Sequence, residues 1–423
     1  VICASSTTLS RSELGNFIVV FDTKLPNPEP GNEVGWVSEH LSQVCCDDVR
    51  RSVRYVGTQA AADAALEAFD VTGYARQRNE VLPETARGAS GLSPWIRHGL
   101  LSLPRVWSSI DGPFEDRNKF RDELRWQEYG RHLYARLGSQ TAKPLRREFA
   151  QRNNYDTSPW DRSMRCLDVN LSELEESGWL VNQTRMWLAS HWAVRAGADW
   201  ERGEDYFFTH LLDGSRAANR LGWQWTVGTG TSKVYGFSQS QVQRRAPGLC
   251  SSCEHQQRCP IQEWPEEPEY VAVDLDERLR RDGASDQTAG PITVETHSKP
   301  EIVWLTAESL GDDDPAFVAN PDLPVVFVFD RSLLESLKLS SKRLIFLADR
   351  LAELGAERVL EVWLGDPVRV LAGRAIATTF APVPGWRRRA KHIDVAELHP
   401  WPWLEQPRAG SLTSFSAWSK SRR

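Results

Sequence analysis

The run Asp213-Gly-Ser-Arg-Ala-Ala-Asn-Arg-Leu-Gly-Trp-Gln-Trp-Thr-Val-Gly-Thr-Gly230 gathers an acid, an amide, two tryptophans one residue apart and four glycines into eighteen positions. Glycines at that density let backbone approach a ligand closely. Two indoles beside them offer flat apolar faces for stacking. Side chains such as Asp213 and Asn219 need polar partners once buried, and a heteroaromatic cofactor supplies them. Two readings fit the residues alone: a tryptophan-rich core turn, or the cradle of such a cofactor.

Outward from this run, the bulk properties narrow the class. At 423 residues the chain has room for two or three domains, each with its own core. Its apolar and charged fractions, 40% and 26%, are those of a soluble globular protein. Apolar runs stay short of the roughly 18–20 residues that a membrane-spanning helix needs, and no secretory signal is visible. A net charge of −6 excludes wholesale coating of nucleic acid but leaves room for a local basic cleft. Seven cysteines, with Cys250, Cys253 and Cys259 close together, make a poor disulfide framework and a better metal or cluster site. That usage points to a reducing cytoplasm.

Periodicity divides the chain. Residues 1–56 carry one strand-like run, Phe17 to Phe21, and read as an extension of unassigned role. Residues 57–264 are helical in texture: Gln59–Asp70, Tyr74–Arg78, Phe120–Leu137, Met164–Trp179, Val181–Ala196 and Asp205–Leu212 show helical spacing, and Lys143–Arg152 reads as a basic loop. Ser93 followed by Pro94 predicts an N-cap and first helical position. Residues 265–299 are acidic, then polar, and predict a linker. From 300 to 423 the strand candidates Glu301–Leu305, Pro324–Phe329 and Val359–Leu364, with the amphipathic Ser340–Leu354 between them, predict a parallel α/β domain.

The opening run resembles the flavin-cradling segment of the photolyase/cryptochrome family, whose form is D-G-x-x-A-A-N-x-x-G-W-Q-W before a short glycine turn. The resemblance extends over the helical region. In the last part, Ile302-Val-Trp304, Asp314-Pro-Ala, Val326-Phe-Val-Phe-Asp330, Gly365-Asp-Pro367 and Phe415-Ser-Ala-Trp418-Ser-Lys420 follow the family's antenna domain. That domain is N-terminal in the family and C-terminal here, so the sequence looks circularly permuted. The resemblance implies an all-helical FAD-binding domain joined to a small Rossmann-like α/β domain, and an antenna chromophore that no residue identifies.

By the same resemblance, Tyr74, Ser90, Leu92 and Ser93 line the FAD diphosphate, and Glu123, Asn182, Arg185, Asp213, Ser215 and Asn219 fall on flavin or active-site positions. Asn219 stands where the family's residue faces flavin N5. Ala89 and Ser215 depart from the usual Thr and Asp. Trp126 and Trp225 match the indoles that sandwich a flipped-out cyclobutane pyrimidine dimer, beside Met186 and Glu123. Such stacking is worth about 1–3 kcal/mol per base. Asn182 and Gln183 occupy the place of the histidines of (6-4) photolyases, and Gln127 that of a usual Arg. Cys166, Cys250, Cys253 and Cys259 resemble the ligands of iron–sulfur bacterial members, implying a [4Fe–4S] cluster, with zinc as the alternative. Trp223 and Trp200 match two members of an electron-supplying tryptophan chain. The third is missing, with Tyr206, Trp179 or the cluster as substitutes; Trp107, Trp187 and Trp192 read as core. Arg78, Arg185, Lys233, Arg244 and Arg245 are expected to rim a DNA-binding cleft. The expected activity is light-driven repair of pyrimidine dimers in DNA by a monomeric enzyme; a blue-light receptor without repair and (6-4) repair are the alternatives.

Overall fold

The computed structural model describes residues 22–150 and 152–420. After β1 (Thr23–Leu25) and α1 (Glu33–His40) comes a helical region of α2 (Gln59–Ala68), α3 (Tyr74–Gln77), α4 (Ser93–Arg97), α5 (Leu103–Ser109) and α6 (Phe114–Leu137). It continues through α7 (Arg165–Ser177), α8 (Asn182–Ala189), α9 (Trp200–His210), α10 (Ala218–Val227) and α11 (Gln239–Arg245). Local chemistry sets the ends. Thr58 and Asp199 accept backbone N–H groups at the starts of α2 and α9, satisfying donors the helix leaves free. Gly178 and Gly228 stop α7 and α10 at φ +71° and +81°, where a side chain would be strained. The run 213–230 is a turn followed by the helix α10, with Gly228 closing it. The apolar stretch Val181–Ala196 is not one regular helix, because α8 widens into a π-helical turn, Ser190–Arg195, that carries Trp192.

The C-terminal region is built on a seven-stranded sheet. Its strands are β4 (Glu295–Thr296), β5 (Ile302–Leu305), β6 (Val325–Asp330), β7 (Leu360–Gly365), β8 (Ile376–Thr379), β9 (Val395–His399) and β1, in the order β1-β7-β6-β5-β8-β9-β4. The five inner strands are parallel, and β1 and β4 pair antiparallel at the edges. Every residue of β5 is buried, as a parallel strand covered on both faces requires. The chain thus combines a helical region with a parallel-rich sheet.

Residues 22–56 and 265–299 are where the structure departs furthest from the sequence reading. Asp22 is held by Arg369, β1 lies along β7 from Thr23↔Leu364 to Leu25↔Val362, and α1 packs on the helix Ser341–Glu357. The extension therefore completes the sheet. The strand-like run Phe17–Phe21 lies outside the described residues. The expected linker is likewise built in: β3 (Tyr270–Ala272) pairs with β2 (Arg147–Phe149), the helix Ser285–Ala289 packs on α6, and β4 pairs with β9. The basic stretch 143–152, read as a loop, thereby contains a strand. Its ladder partner lies far along the chain, where no local period could announce it.

One apolar core joins the two regions, running from Trp36 and Leu92 through Leu101 and Phe120 to Phe327, Phe346 and Leu351. The backbones touch where there is no side chain. Gly57 lies against the Phe346 carbonyl and Gly99 against that of Glu308, leaving no room for a Cβ at either. Arg343, 2% exposed, reaches across to the carbonyls of Phe208 and Gly214.

Candidate active site

Between the helical region and the C-terminal ends of β5 and β6 lies a cavity of about 1330 Å³. Open α/β sheets place ligand sites at those strand ends. Ten arginines and four carboxylates line it. A chain of net charge −6 thus encloses a strongly cationic chamber suited to a large anionic ligand.

The turn before α10 builds its inner wall. Asp213 is 8% exposed and receives a bidentate pair from Arg185, Nη1 to Oδ1 at 3.1 Å and Nη2 to Oδ2 at 2.8 Å, while Arg185 Nε donates to the Leu180 carbonyl. Arg185 therefore belongs to the chamber's interior and not to its rim. Ser215 Oγ accepts the N–H groups of Ala217 and Ala218, so the serine that departs from the family's aspartate fixes the entry to α10. Asn219, also 8% exposed, donates from Nδ2 to Glu204 Oε1 at 2.9 Å and to the Glu204 carbonyl at 3.1 Å. Both bonds use the amide nitrogen, leaving Oδ1 as the polar atom available to a ligand.

Glu204 was not singled out from the sequence. It is 1% exposed on α9 and also pairs with Arg216 and with Arg220 Nε at 3.2 Å. Burial raises its carboxyl pKa, and the two guanidinium groups oppose that rise. No local motif marks it, because its partners sit on the following turn and helix.

Trp126 on α6 and Trp225 on α10 are 37% and 41% exposed and, with Trp264 at 53%, stand apart from the other tryptophans, which are largely buried. Both line the chamber with Met186, Asn182, Gln127 and Glu123. Glu123 is held by Lys119 at 2.8 Å and by Arg78 Nε at 3.5 Å. Trp126 stacks on Phe415, ring centroids 4.0 Å apart and planes 10° from parallel. Trp223, 2% exposed, lies one turn after Asn219 on α10 and meets Phe207 edge-on at 5.1 Å.

Tyr74, Ser90 and Ser93 also line the chamber. Ser93 is the first residue of α4 and its Oγ accepts the Trp179 indole N–H at 3.0 Å, so it does not act as the expected N-cap. Leu92 is fully buried in the core beneath and contributes packing. Trp200 is fully enclosed and does not reach the chamber. Of the expected DNA contacts, Arg78 lines the chamber, Lys233 and Arg244 are exposed away from its walls, and Arg245 is paired with Glu80.

Cys166, at the start of α7, and Cys250, Cys253 and Cys259 line one small pocket with Val242, Leu249 and Ile261. All four are free thiols. Burial pushes Cys166 up to about 12, and the charges of Cys259, Cys250 and Cys253 push the same way. Four sulfurs facing one apolar pocket are a donor set for a soft, positively charged centre, which would draw the thiols into their anionic form. Among the described residues, the group of three donors drawn within 4.8 Å of one another is Cys46, Asp47 and His210; the four cysteines are spread more widely.

Residues 120–247 match the model of the FAD binding domain of DNA photolyase. This span holds Glu123, Trp126, Arg185, Asp213, Asn219 and Trp225, the residues the chamber brings together. A deoxyribodipyrimidine photo-lyase of Synechococcus is 32% identical over 191 residues, 41% of this chain and 39% of that protein. A counterpart in Thermus thermophilus is 29% identical over 277 residues, 62% of this chain and 57% of that one. The Escherichia coli enzyme of the same name is 33% identical over 192 residues, 41% and 40%. The chain thus spans 39% to 57% of the length of these curated relatives. Among the described residues no helix is long and apolar enough to cross a membrane. Residues 120–247, which match the FAD binding domain of DNA photolyase, thus supply the helical walls of one arginine-lined chamber.

Proposed function

We propose that this chain is a deoxyribodipyrimidine photolyase, a light-driven lyase that splits cyclobutane pyrimidine dimers in DNA. One observation carries the reading. The Asp213–Arg185 pair, Asn219 held by Glu204, and the half-exposed indoles Trp126 and Trp225 all face one cationic chamber. A flavin dinucleotide fits that donor set: guanidinium groups for its diphosphate, Asn219 Oδ1 for a ring N–H, and buried Trp223 alongside. FAD, when bound, supplies light-driven one-electron transfer. The chain's own part is to bind and orient. Trp126 and Trp225 replace the stacking that an extruded lesion loses, and Glu123 offers a carboxylate to the pyrimidine edge. Arg78 at the mouth, with exposed Lys233 and Arg244, meets DNA phosphates.

Cys166, Cys250, Cys253 and Cys259 would hold a [4Fe–4S] cluster. Their wider spread supports a cluster over zinc, since tetrahedral zinc with bonds of about 2.3 Å draws its sulfurs to about 3.8 Å. The α/β end of the chamber, with Trp304, Trp386 and Trp401, is the place for an antenna chromophore. The domain order relative to the family is then a circular permutation.

The test is illumination of the reduced, flavin-loaded chain with an oligonucleotide carrying a thymine dimer, with intact thymines quantified. Light-dependent restoration is expected. Flavin photoreduction without any restoration would overturn the lyase reading in favour of a photoreceptor.

A further inference from the structure

Trp223 lies at the chamber and Trp200 is sealed in the core, its indole N–H without a partner. An electron supplied to a buried site has to enter from the surface, and Trp200 offers no such entry. The aromatic rings around Trp223 run another way. Trp223 and Trp192 converge over Gly203, where an added Cβ would lie 2.6 Å from Trp223 Cζ3 and 3.1 Å from Trp192 Cδ1. Trp192 meets Trp160 edge-on with centroids 4.6 Å apart, and Trp160 meets Tyr206 at 5.3 Å. Phe207 fills the inside of the bend, 5.1 Å from Trp223 and 6.0 Å from Trp160. The three tryptophans are buried and Tyr206 is half-buried. Its phenol donates to Glu175 Oε1 at 3.4 Å.

We propose that Trp192, Trp160 and Tyr206 are the outer members of the electron supply, carrying electrons from Tyr206 near the surface to Trp223 at the chamber. The proposal rests on the flavin reading given above. A light-driven one-electron acceptor held in the chamber would draw its electron from Trp223; Trp192 would then refill Trp223, Trp160 would refill Trp192, and Tyr206 would refill Trp160. Tyr206 ends one electron short, and its phenolic proton passes to the Glu175 carboxylate, leaving a neutral tyrosyl radical. A thiol in solution returns an electron and a proton to the phenol and is itself oxidised. Burial and the neighbouring Glu175 charge keep the phenol protonated, raising it to about 12, so oxidation has to release that proton, and the Glu175 carboxylate, which Arg162 also bonds, is its hydrogen-bond partner. This assignment gives Trp192 and Trp160 a role beyond packing and fills the position the sequence left vacant.

Flash excitation of the flavin-loaded chain, read by electron paramagnetic resonance, tests it. Wild type is expected to form a tyrosyl radical. Tyr206→Phe, which removes only a hydroxyl, should lose that signal and leave a shorter-lived tryptophanyl one. Trp160→Phe should lose the tyrosyl signal as well, and Trp200→Phe should keep it. Chemically reduced Tyr206→Phe should match wild type in flavin content and in dimer repair. Absence of the tyrosyl signal in wild type, its survival in Tyr206→Phe or its loss in Trp200→Phe overturns the proposal. A chain that forms the radicals but repairs nothing would sink the lyase reading and leave this one standing; a chain that binds no flavin overturns both.

Discussion

Removing the Glu204 carboxylate would leave Arg216, Arg220 and the Asn219 amide without their common partner. Breaking a buried ion pair from one side costs about 3–5 kcal/mol. Glu204→Ala should therefore lower the melting temperature and weaken flavin binding, whereas Glu204→Gln, which can still accept from Asn219, should keep most of the flavin affinity. Thermal melts and flavin titration of the two variants check this. Glu128 gives a pH-dependent counterpart. It is fully buried on α6, accepts the Leu404 and Glu405 N–H groups, and burial lifts its carboxyl from 4.5 to about 7. His132 beside it is held neutral by burial, its pKa lowered to about 3, and supplies no counter-charge. A raised carboxyl binds more protons folded than unfolded, so its contribution falls as pH rises from about 4.5 to 7 and is level above that. Glu128→Gln should therefore gain on wild type across that window, by at most about 3 kcal/mol at pH 8, and by nearly nothing at pH 4. Denaturant melts at several pH values measure the difference, and a constant offset would refute it.

The helix Phe415–Lys420 connects the α/β region to the exposed indole of Trp126. Arg125 on α6 anchors it, bonding Glu405 at 2.9 Å and Ser419 at 2.8 Å and lying over the rings of Phe415 and Trp418. Phe415 thereby fixes the plane of Trp126. An aromatic stack is worth about 0.5–1.5 kcal/mol, so Phe415→Ala should weaken binding of dimer-containing DNA about two- to tenfold with flavin content unchanged. Fluorescence anisotropy separates the two. In the cysteine pocket, Cys253→Ser should abolish the bound iron and sulfide of the purified protein; a variant that retains both would remove Cys253 from the ligand set. Elements of this kind were legible to different degrees. The helices α2, α6 and α7 and the inner strands β5, β6 and β7 followed from the apolar pattern, the inner strands β8 and β9 did not, and the Cys250–Cys259 spacing is local. β1, β3 and β4 span two or three residues, too few to show a period, and they exist only through partners far along the chain. Phe415 over Trp126 and Glu204 beneath Asn219 were illegible for the same reason, although each partner residue but Glu204 stood in a motif.

Across the whole molecule, charge is segregated: the whole chain carries net −6, yet its chamber is lined by ten arginines against four acids. DNA binding at the chamber mouth should therefore weaken as salt rises, and Arg78→Ala should reduce the slope of log affinity against log salt by about one. Equilibrium titrations over a salt series read the slope; an unchanged slope would place Arg78 away from the phosphates. The chamber's walls come from both regions, which is why the sequence could supply most of the residues on its helical side but not the shape that collects them. The strand β1 has a further consequence for how the protein is made. Asn27, just after it, bonds the Leu360 carbonyl 333 residues on. At the ribosome's pace of about 5–20 residues per second, the first described strand waits on the order of tens of seconds before its partner emerges. The sheet therefore cannot close by successive local steps. Its first edge is laid down early and joined late, so the helical region is enclosed between the two ends of one sheet and the final closure draws the whole chain together.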